Sequence, residues 1–279
     1  MQRQRRSVLE RHRRCAVVGH PVGHSLSPVL HKAAYRELGL DWQFDAIDVP
    51  EDGWDGFIAG LGPEYVGLAV TMPHKAAAAR TGRPDLTVQR LGVANTVIFA
   101  DDGPRAHNTD VAGFIQALQY RRLENVSSAV VLGAGATAKA ALLALAGLGV
   151  ANVAAQVRDT TRADQWLAFA DELGVEACAE PLGTHHEVDL VVSTLPAESA
   201  KPWADVVVDM AQVVFDSSYH PWPTPLTEAA WAAGRPAVTG LDLLAGQAVF
   251  QLDLMTGEVV DFETLHRAGH DELARGWKD

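Results

Sequence analysis

The sequence predicts an α/β protein of two units. Two observations carry this. Short apolar runs of strand length alternate with runs of helical period from Cys15 onward. At Asn108-Thr109-Asp110 a polar helix start hands one such half over to the next. Alternation of this kind implies parallel sheets with helices on both faces. No Pro/Gly linker separates the halves, so they should be packed units facing a cleft.

The elements follow in order. Cys15–Gly19 is a short apolar strand. Ser27-Pro28 is an N-cap followed by Pro at the first helical position. Leu30, Ala34, Tyr35 and Leu38 make the apolar stripe of that helix, and Gly39 closes it. Phe44–Val49 and Val66–Val70 read as strands, with a short helix at Trp54–Ala59 between them. Ala76–Arg80 and Asp85–Leu91 read as helices. Ala94–Ala100 is a strand, and Arg105–His107 closes a hairpin after Asp101-Asp102-Gly103. A helix over Val111–Arg121 opens the second half. Strand Ala129–Leu132, helix Ala136–Ala146, strand Asn152–Val157 and helix Arg162–Leu173 follow it. Val188–Val192, Val206–Asp209 and Val213–Phe215 are further strand candidates. Leu226–Ala233 is a helix and Ala237–Thr239 a last strand. Helices over Leu241–Met255 and Phe262–Arg275 end the chain.

Composition narrows the function. The chain has 279 residues, of which 48% are hydrophobic and 21% charged, as in a soluble globular protein. Its formal net charge is −12. The first fourteen residues carry six Arg and one Glu, a net +5, so the remainder carries −17. Residues 1–14 read as a disordered basic tail, without the apolar core of a signal peptide. An acidic body argues against nucleic acid or an anionic membrane as partner. The apolar run Ala140–Ala155 reads as a buried helix, a Gly turn and a strand rather than a membrane span. Cys15 and Cys178 make no disulfide framework, so reduced thiols and a cytoplasmic location are expected. His20, His24 and His31 lie on a loop and a helix without a paired carboxylate, and no metal site is expected.

Gly133-Ala134-Gly135-Ala136-Thr137-Ala138 follows an apolar strand and opens a helix. It fits the pattern G-x-G-x-x-G/A. The first Gly allows a tight turn, the second admits a pyrophosphate, and the small residue at Ala138 lets the helix pack close. The helix N-terminus offers N–H groups to phosphate. Residues 111–240 therefore read as a Rossmann-type dinucleotide-binding domain. At the end of the next strand, Arg158 and Arg162 could clamp a 2′-phosphate, whereas Asp159 suits a free 2′-OH. Two arginines against one carboxylate favour NADP.

The first half holds small polar groups near strand ends: Ser25, Ser27, Thr71, Lys75 and Asn95, with Asn108 and Asp110 after them. They suit a small polyhydroxylated substrate bearing a carboxylate. At these residues the sequence resembles the shikimate dehydrogenase family. The matching motifs are His24-Ser25-Leu26-Ser27-Pro28, Val70-Thr71-Met72-Pro73-His74-Lys75, Gly92-Val93-Ala94-Asn95-Thr96 and Asn108-Thr109-Asp110-Val111-Ala112-Gly113, with Gly240–Ala248 beyond the dinucleotide turn. The resemblance spans about Cys15 to Gly257. It implies NADPH-dependent reduction of 3-dehydroshikimate, with Lys75 and Asp110 as the catalytic pair. Ser25 and Ser27 would bind the substrate carboxylate, and Tyr219 would contact that region. Thr71, Asn95 and Gln247 would contact hydroxyls. Gly133, Ala134, Gly135, Ala136, Thr137, Arg158, Arg162, Thr194 and Gly240 would border the cofactor. The final helices would return to the first domain, giving residues 15–110 with 241–279 as the substrate domain. Ala69, Val157 and Asp159 depart from the common family pattern. The other readings are an NAD-dependent quinate/shikimate dehydrogenase and a non-catalytic nucleotide sensor. A monomer or homodimer is expected.

Overall fold

The computed structural model describes residues 13–276. Most of the tail expected to be disordered, residues 1–12, lies outside the described residues. Arg14, assigned above to that tail, instead opens the first strand and pairs with Asp45 at 2.7 Å. Contacts divide the chain into two units. One runs up to Thr109 and resumes at Gln247; the other is Asp110–Gly246.

The first unit contains β1 (Arg14–Gly19), α1 (Ser27–Glu37), β2 (Gln43–Asp48), α2 (Trp54–Ala59), β3 (Tyr65–Val70), α3 (Lys75–Thr81), β4 (Arg83–Pro84), α4 (Leu86–Leu91), β5 (Thr96–Ala100) and β6 (Gly103–His107). Its sheet has the order β2-β1-β3-β5-β6-β4. β1 runs parallel to β2 and β3, but β5 is antiparallel to both β3 and β6. The sheet is therefore mixed: the hairpin expected after Asp101-Asp102-Gly103 is formed by β5 and β6, and β5 extends the antiparallel pairing to β3. Only Asp101 and Asp102 separate β5 from β6, and so short a link makes a hairpin, not a crossover. Gly103, at φ 113°, takes the turn a side chain would resist. The core packs Ala16, Val18, Leu68, Val70 and Val97 against Trp54, Ala78 and Val88.

The second unit contains α5 (Asp110–Tyr120), β7 (Ser128–Leu132), α6 (Ala136–Gly147), β8 (Asn152–Val157), α7 (Asp164–Glu172), β9 (Glu176–Pro181), β10 (Val188–Ser193), α8 (Ala197–Ala200), α9 (Ala204–Met210), β11 (Ala211–Asp216), α10 (Pro225–Ala232) and β12 (Ala237–Val238). Its sheet, β12-β11-β10-β7-β8-β9, is parallel throughout. α11 (Gly240–Thr256) begins in this unit and continues into the first, which α12 (Phe262–Ala274) completes by packing on α1.

Three local expectations are corrected. Val206–Asp209 is not a strand but part of α9, where Val207, Val208 and Met210 are buried against Val130, Leu132 and Val191. Burial overrides the β preference of a valine run. β9 escaped the sequence reading because Glu176–Pro181 lacks a β-branched run and is half exposed at the sheet edge. Arg162 does not start a helix. It lies in a 3₁₀ turn, Thr160–Ala163, capped by Asp159 through Thr161 N–H at 3.1 Å, and α7 starts after it. Cys15 is buried and Cys178 exposed, and both are free thiols. Among the described residues no helix is long and apolar enough to cross a membrane.

Candidate active site

In the first unit the topology collects the polar groups at one sheet edge. β1, β2 and β3 run in parallel and end together, at Gly19, Asp48 and Val70. β5 runs the other way, so it starts at that edge, with Ala69 opposite Thr96 and Val70 N–H donating to the Asn95 carbonyl at 2.7 Å. β6 ends there too, His107 lying opposite Thr96. Ser25 and Ser27 after β1, Thr71 and Lys75 after β3, Asn95 before β5 and Asn108 after β6 thus share one edge.

The loop after β1 is tied down. Asp48 accepts from His20 Nδ1 at 2.7 Å and from Val22 N–H at 3.1 Å, and the His20 bond holds its carboxyl below the usual range. His20 therefore does have a carboxylate partner, one distant in sequence. Gly19 allows the neighbouring loop to come close: a Cβ there would lie 2.3 Å from Thr71 Cγ2 and 2.9 Å from the Met72 carbonyl oxygen. Ser25 and Ser27 are nearly buried. Ser27 is not the N-cap. It is the first residue of α1, and its N–H donates to Ser25 Oγ at 3.3 Å.

Lys75 opens α3 and is partly buried; its carbonyl accepts from Ala94 N–H at 2.9 Å, which holds the helix start against the strand that follows. Asn95 is almost completely buried. Its Oδ1 accepts from Thr109 N–H at 2.8 Å, and its Nδ2 donates to Gln247 Oε1 at 2.9 Å and Thr109 Oγ1 at 3.0 Å. Asn108 Nδ2 donates to the Val93 carbonyl at 3.1 Å. Asn108 and Thr109 thus stitch the end of the first unit to the loop before β5, and Asp110, buried, is the first residue of α5 in the second unit.

The second unit presents the glycine turn. Gly133 has φ 107°, and a Cβ on it would lie 2.6 Å from Thr194 Oγ1. Thr194 Oγ1 in turn donates to the Leu132 carbonyl at 2.8 Å, so the ends of β7 and β10 close around that glycine. A Cβ on Gly135 would meet nothing within 4 Å, which leaves open space beside the start of α6. Ala138 is fully buried, as close helix packing requires, and its carbonyl accepts from Trp166 Nε1 at 3.3 Å. Gly133, Ala134, Gly135, Val157, Arg158, Asp159, Arg162, Leu182 and Leu195 line one cavity of about 280 Å³. Ala136 and Thr137 form the first turn of α6 beside it. Asp159 uses one oxygen on Thr161 N–H and Oγ1, and these bonds hold its carboxyl below the usual range. A backbone-rich turn with two guanidinium groups across a cavity fits a phosphorylated dinucleotide. Gly240 has another reason to be glycine. A Cβ there would lie 2.5 Å from Ser218 backbone, in the loop that carries half-buried Tyr219.

Sequence reasoning missed Thr96, His31 and Gln251, which back the first-unit edge. Spacing could have found two of them: Gln251 stands four residues after Gln247, and His31 four after Ser27, each on the same helix face.

A parallel sheet, a glycine turn opening a helix, and basic groups at the next strand's end define a dinucleotide-binding α/β protein. Comparison with known proteins is more specific. Residues 17–97 match the family described as shikimate dehydrogenase substrate binding domain. The shikimate dehydrogenase (NADP(+)) of Methanocella arvoryzae is 37% identical over 270 residues, covering 92% of this chain and 98% of that relative. The crystal structure of Mycobacterium tuberculosis shikimate dehydrogenase superposes with a TM-score of 0.86 at 36% identity, covering 93% of this chain and 99% of that one. A Thermus thermophilus shikimate 5-dehydrogenase in complex with NADP(H) and shikimate gives 0.79 at 32% identity, over 93% and 99% of the two chains. The chain belongs to the shikimate dehydrogenase family.

Proposed function

We propose that this protein catalyses the reversible NADPH-dependent reduction of 3-dehydroshikimate to shikimate, in the cytoplasm. The observation that carries the reading is the cavity at Gly133–Gly135 with Arg158 and Arg162 on its wall. It suits a dinucleotide carrying an extra phosphate, and Asp159 is engaged in capping its own turn. The Thermus thermophilus relative was crystallised with that cofactor and shikimate. In this reading residues 111–240 are the NADP-binding domain, and 15–110 with 241–279 the substrate domain.

A nicotinamide cofactor held at the glycine turn would supply the hydride. Lys75 gives a proton to the alkoxide oxygen that forms on the substrate and stabilises its charge beforehand. Asp110 orients that ammonium and hydrogen-bonds the substrate. Ser25 and Ser27 bind the carboxylate together with Tyr219, and Thr71, Asn95 and Gln247 hold the hydroxyl groups. Gly133, Ala134, Gly135, Ala136, Thr137, Thr194 and Gly240 border the cofactor. The test is absorbance at the nicotinamide band with shikimate and NADP⁺. Turnover with NADP⁺ well above that with NAD⁺ is expected. No turnover with either cofactor would sink the reading, and a preference for NAD⁺ with quinate would replace it by the quinate/shikimate alternative.

A further inference from the structure

Behind Gln247, five side chains of the first unit form one hydrogen-bonded line, and two backbone groups of fixed polarity set its direction. The Thr109 N–H can only donate, and it lies 2.8 Å from Asn95 Oδ1. Asn95 therefore turns Nδ2 toward Gln247 Oε1, at 2.9 Å. Thr96 Oγ1 lies 3.0 Å from Asn95 Oδ1, and between these two oxygens the hydroxyl must be the donor. The Asn95 carbonyl can only accept, and Gln251 Nε2 lies 3.3 Å from it and 3.2 Å from Thr96 Oγ1. Gln251 thus turns Oε1 toward His31 Nε2, at 3.3 Å, so that ring nitrogen carries the proton.

His31 closes the line at its buried end. The ring is fully buried, stacks on Phe44 at 3.9 Å between centroids, and leaves Nδ1 without a partner. Burial lowers its pKa to about 3, so the imidazole is neutral and has a single proton to place. Each donor then faces the same way, from His31 through Gln251, Thr96 and Asn95 to Gln247. The line ends at Gln247 Nε2, whose N–H groups have no acceptor among the described residues.

We propose that Gln247 serves only as a hydrogen-bond donor to the substrate, and that Thr96, Gln251 and His31 are positioning residues that hold it so. The group meeting Gln247 must then be an acceptor, a hydroxyl or carboxylate oxygen. The inference rests on the proposed activity, because it names how that substrate is held.

Thr96→Val removes the middle donor at nearly constant shape, and Thr96→Ser restores it. Gln251→Leu breaks the line at its next member. For Thr96→Val and Gln251→Leu the KM for shikimate should rise about tenfold, the cost of a weakened neutral hydrogen bond. The KM for NADP⁺ and kcat should stay within twofold of wild type, and Thr96→Ser should match wild type. A shikimate KM within twofold of wild type in Thr96→Val, or no recovery in Thr96→Ser, would overturn the proposal. A general loss of packing would not be rescued by serine. Nitrogen-15 NMR of the His31 ring gives a readout free of catalysis. It should show the Nε2–H tautomer at neutral pH, and the Nδ1–H tautomer would overturn the direction of the line. If the wild-type protein turned over no shikimate, the proposed activity would fall, while the ring spectrum would still test the line.

Discussion

Lys75 opens a seven-residue helix in the loop region after β3, at the sheet edge where the polar residues gather, and its carbonyl is held by Ala94 N–H. Lys75→Ala should lower kcat by about 10²–10⁴-fold, the usual worth of a positioned proton donor, with a smaller effect on the shikimate KM. Steady-state kinetics on the folded variant checks this, and near-normal kcat would remove Lys75 from the mechanism. Arg158 and Arg162 make a separate case. Arg162→Leu should raise the KM for NADP⁺ by roughly tenfold or more, through loss of a charge-assisted hydrogen bond, and leave the KM for NAD⁺ almost unchanged. Equal effects on both cofactors would show that Arg162 does not read the extra phosphate. Asp216 makes a pH prediction. It is fully buried at the end of β11, accepting from Thr224 Oγ1 at 2.5 Å and Ser218 N–H at 3.1 Å. Burial raises its carboxyl to about 6, above the ordinary value of 3.8, and the two hydrogen bonds pull against that. An acid whose folded pKa is raised favours the fold most below its unfolded pKa and loses that contribution as pH rises through its folded pKa. Asp216→Asn cannot ionise. Denaturant unfolding at pH 4 and pH 8 should therefore show its stability rising relative to wild type by on the order of 2 kcal/mol at the higher pH. An unchanged difference would mean that Asp216 titrates normally.

Among the elements, α5 and α11 cross through two glycines. A Cβ on Gly246 would lie 2.6 Å from the Gly113 carbonyl oxygen. This explains a glycine inside α5 that would otherwise weaken the helix. One turn before the crossing, Arg121 binds Asp242 through two nitrogens, at 3.0 and 3.1 Å, with the carboxylate fully buried. Gly246→Val should cost about 2 kcal/mol or more, because backbone must shift to admit the side chain. Chemical denaturation measures it, and a loss under 0.5 kcal/mol would show that the crossing is looser than its geometry indicates. The same scale shows where the sequence was hard to read. β7 and α6 were legible because an apolar run, a glycine turn and a helical period coincide. α9 was not, since its valines follow strand propensity and only burial against β7 and β10 makes them helical. β9 was not, since an edge strand needs no apolar face.

For the whole molecule, the proposed cofactor gives a test independent of chemistry. A ligand that binds only the folded protein adds about 2.7 kcal/mol of stability at one hundred times its Kd. Thermal unfolding should shift upward with NADP⁺ and much less with an equal concentration of NAD⁺. No shift with either would remove the dinucleotide reading. The sequence by itself determined the α/β class, the glycine turn and the family, because periodicity and motif spacing lie within short stretches of chain. It also named Ser25, Thr71, Lys75 and Asn95 as candidates, through their places near strand ends and the family motifs, and Gln247 through the motifs alone. The hairpin at Asp101-Asp102-Gly103 and, through the resemblance, the return of the final helices were expected from it as well; only the tertiary structure decided that β5 also lies antiparallel beside β3, so that the first sheet is mixed. It alone joined His31, Thr96 and Gln251 behind Gln247. These partners lie up to 220 residues apart. No local pattern encodes such a pairing, and the direction of each hydrogen bond follows from backbone groups that only the folded chain brings alongside.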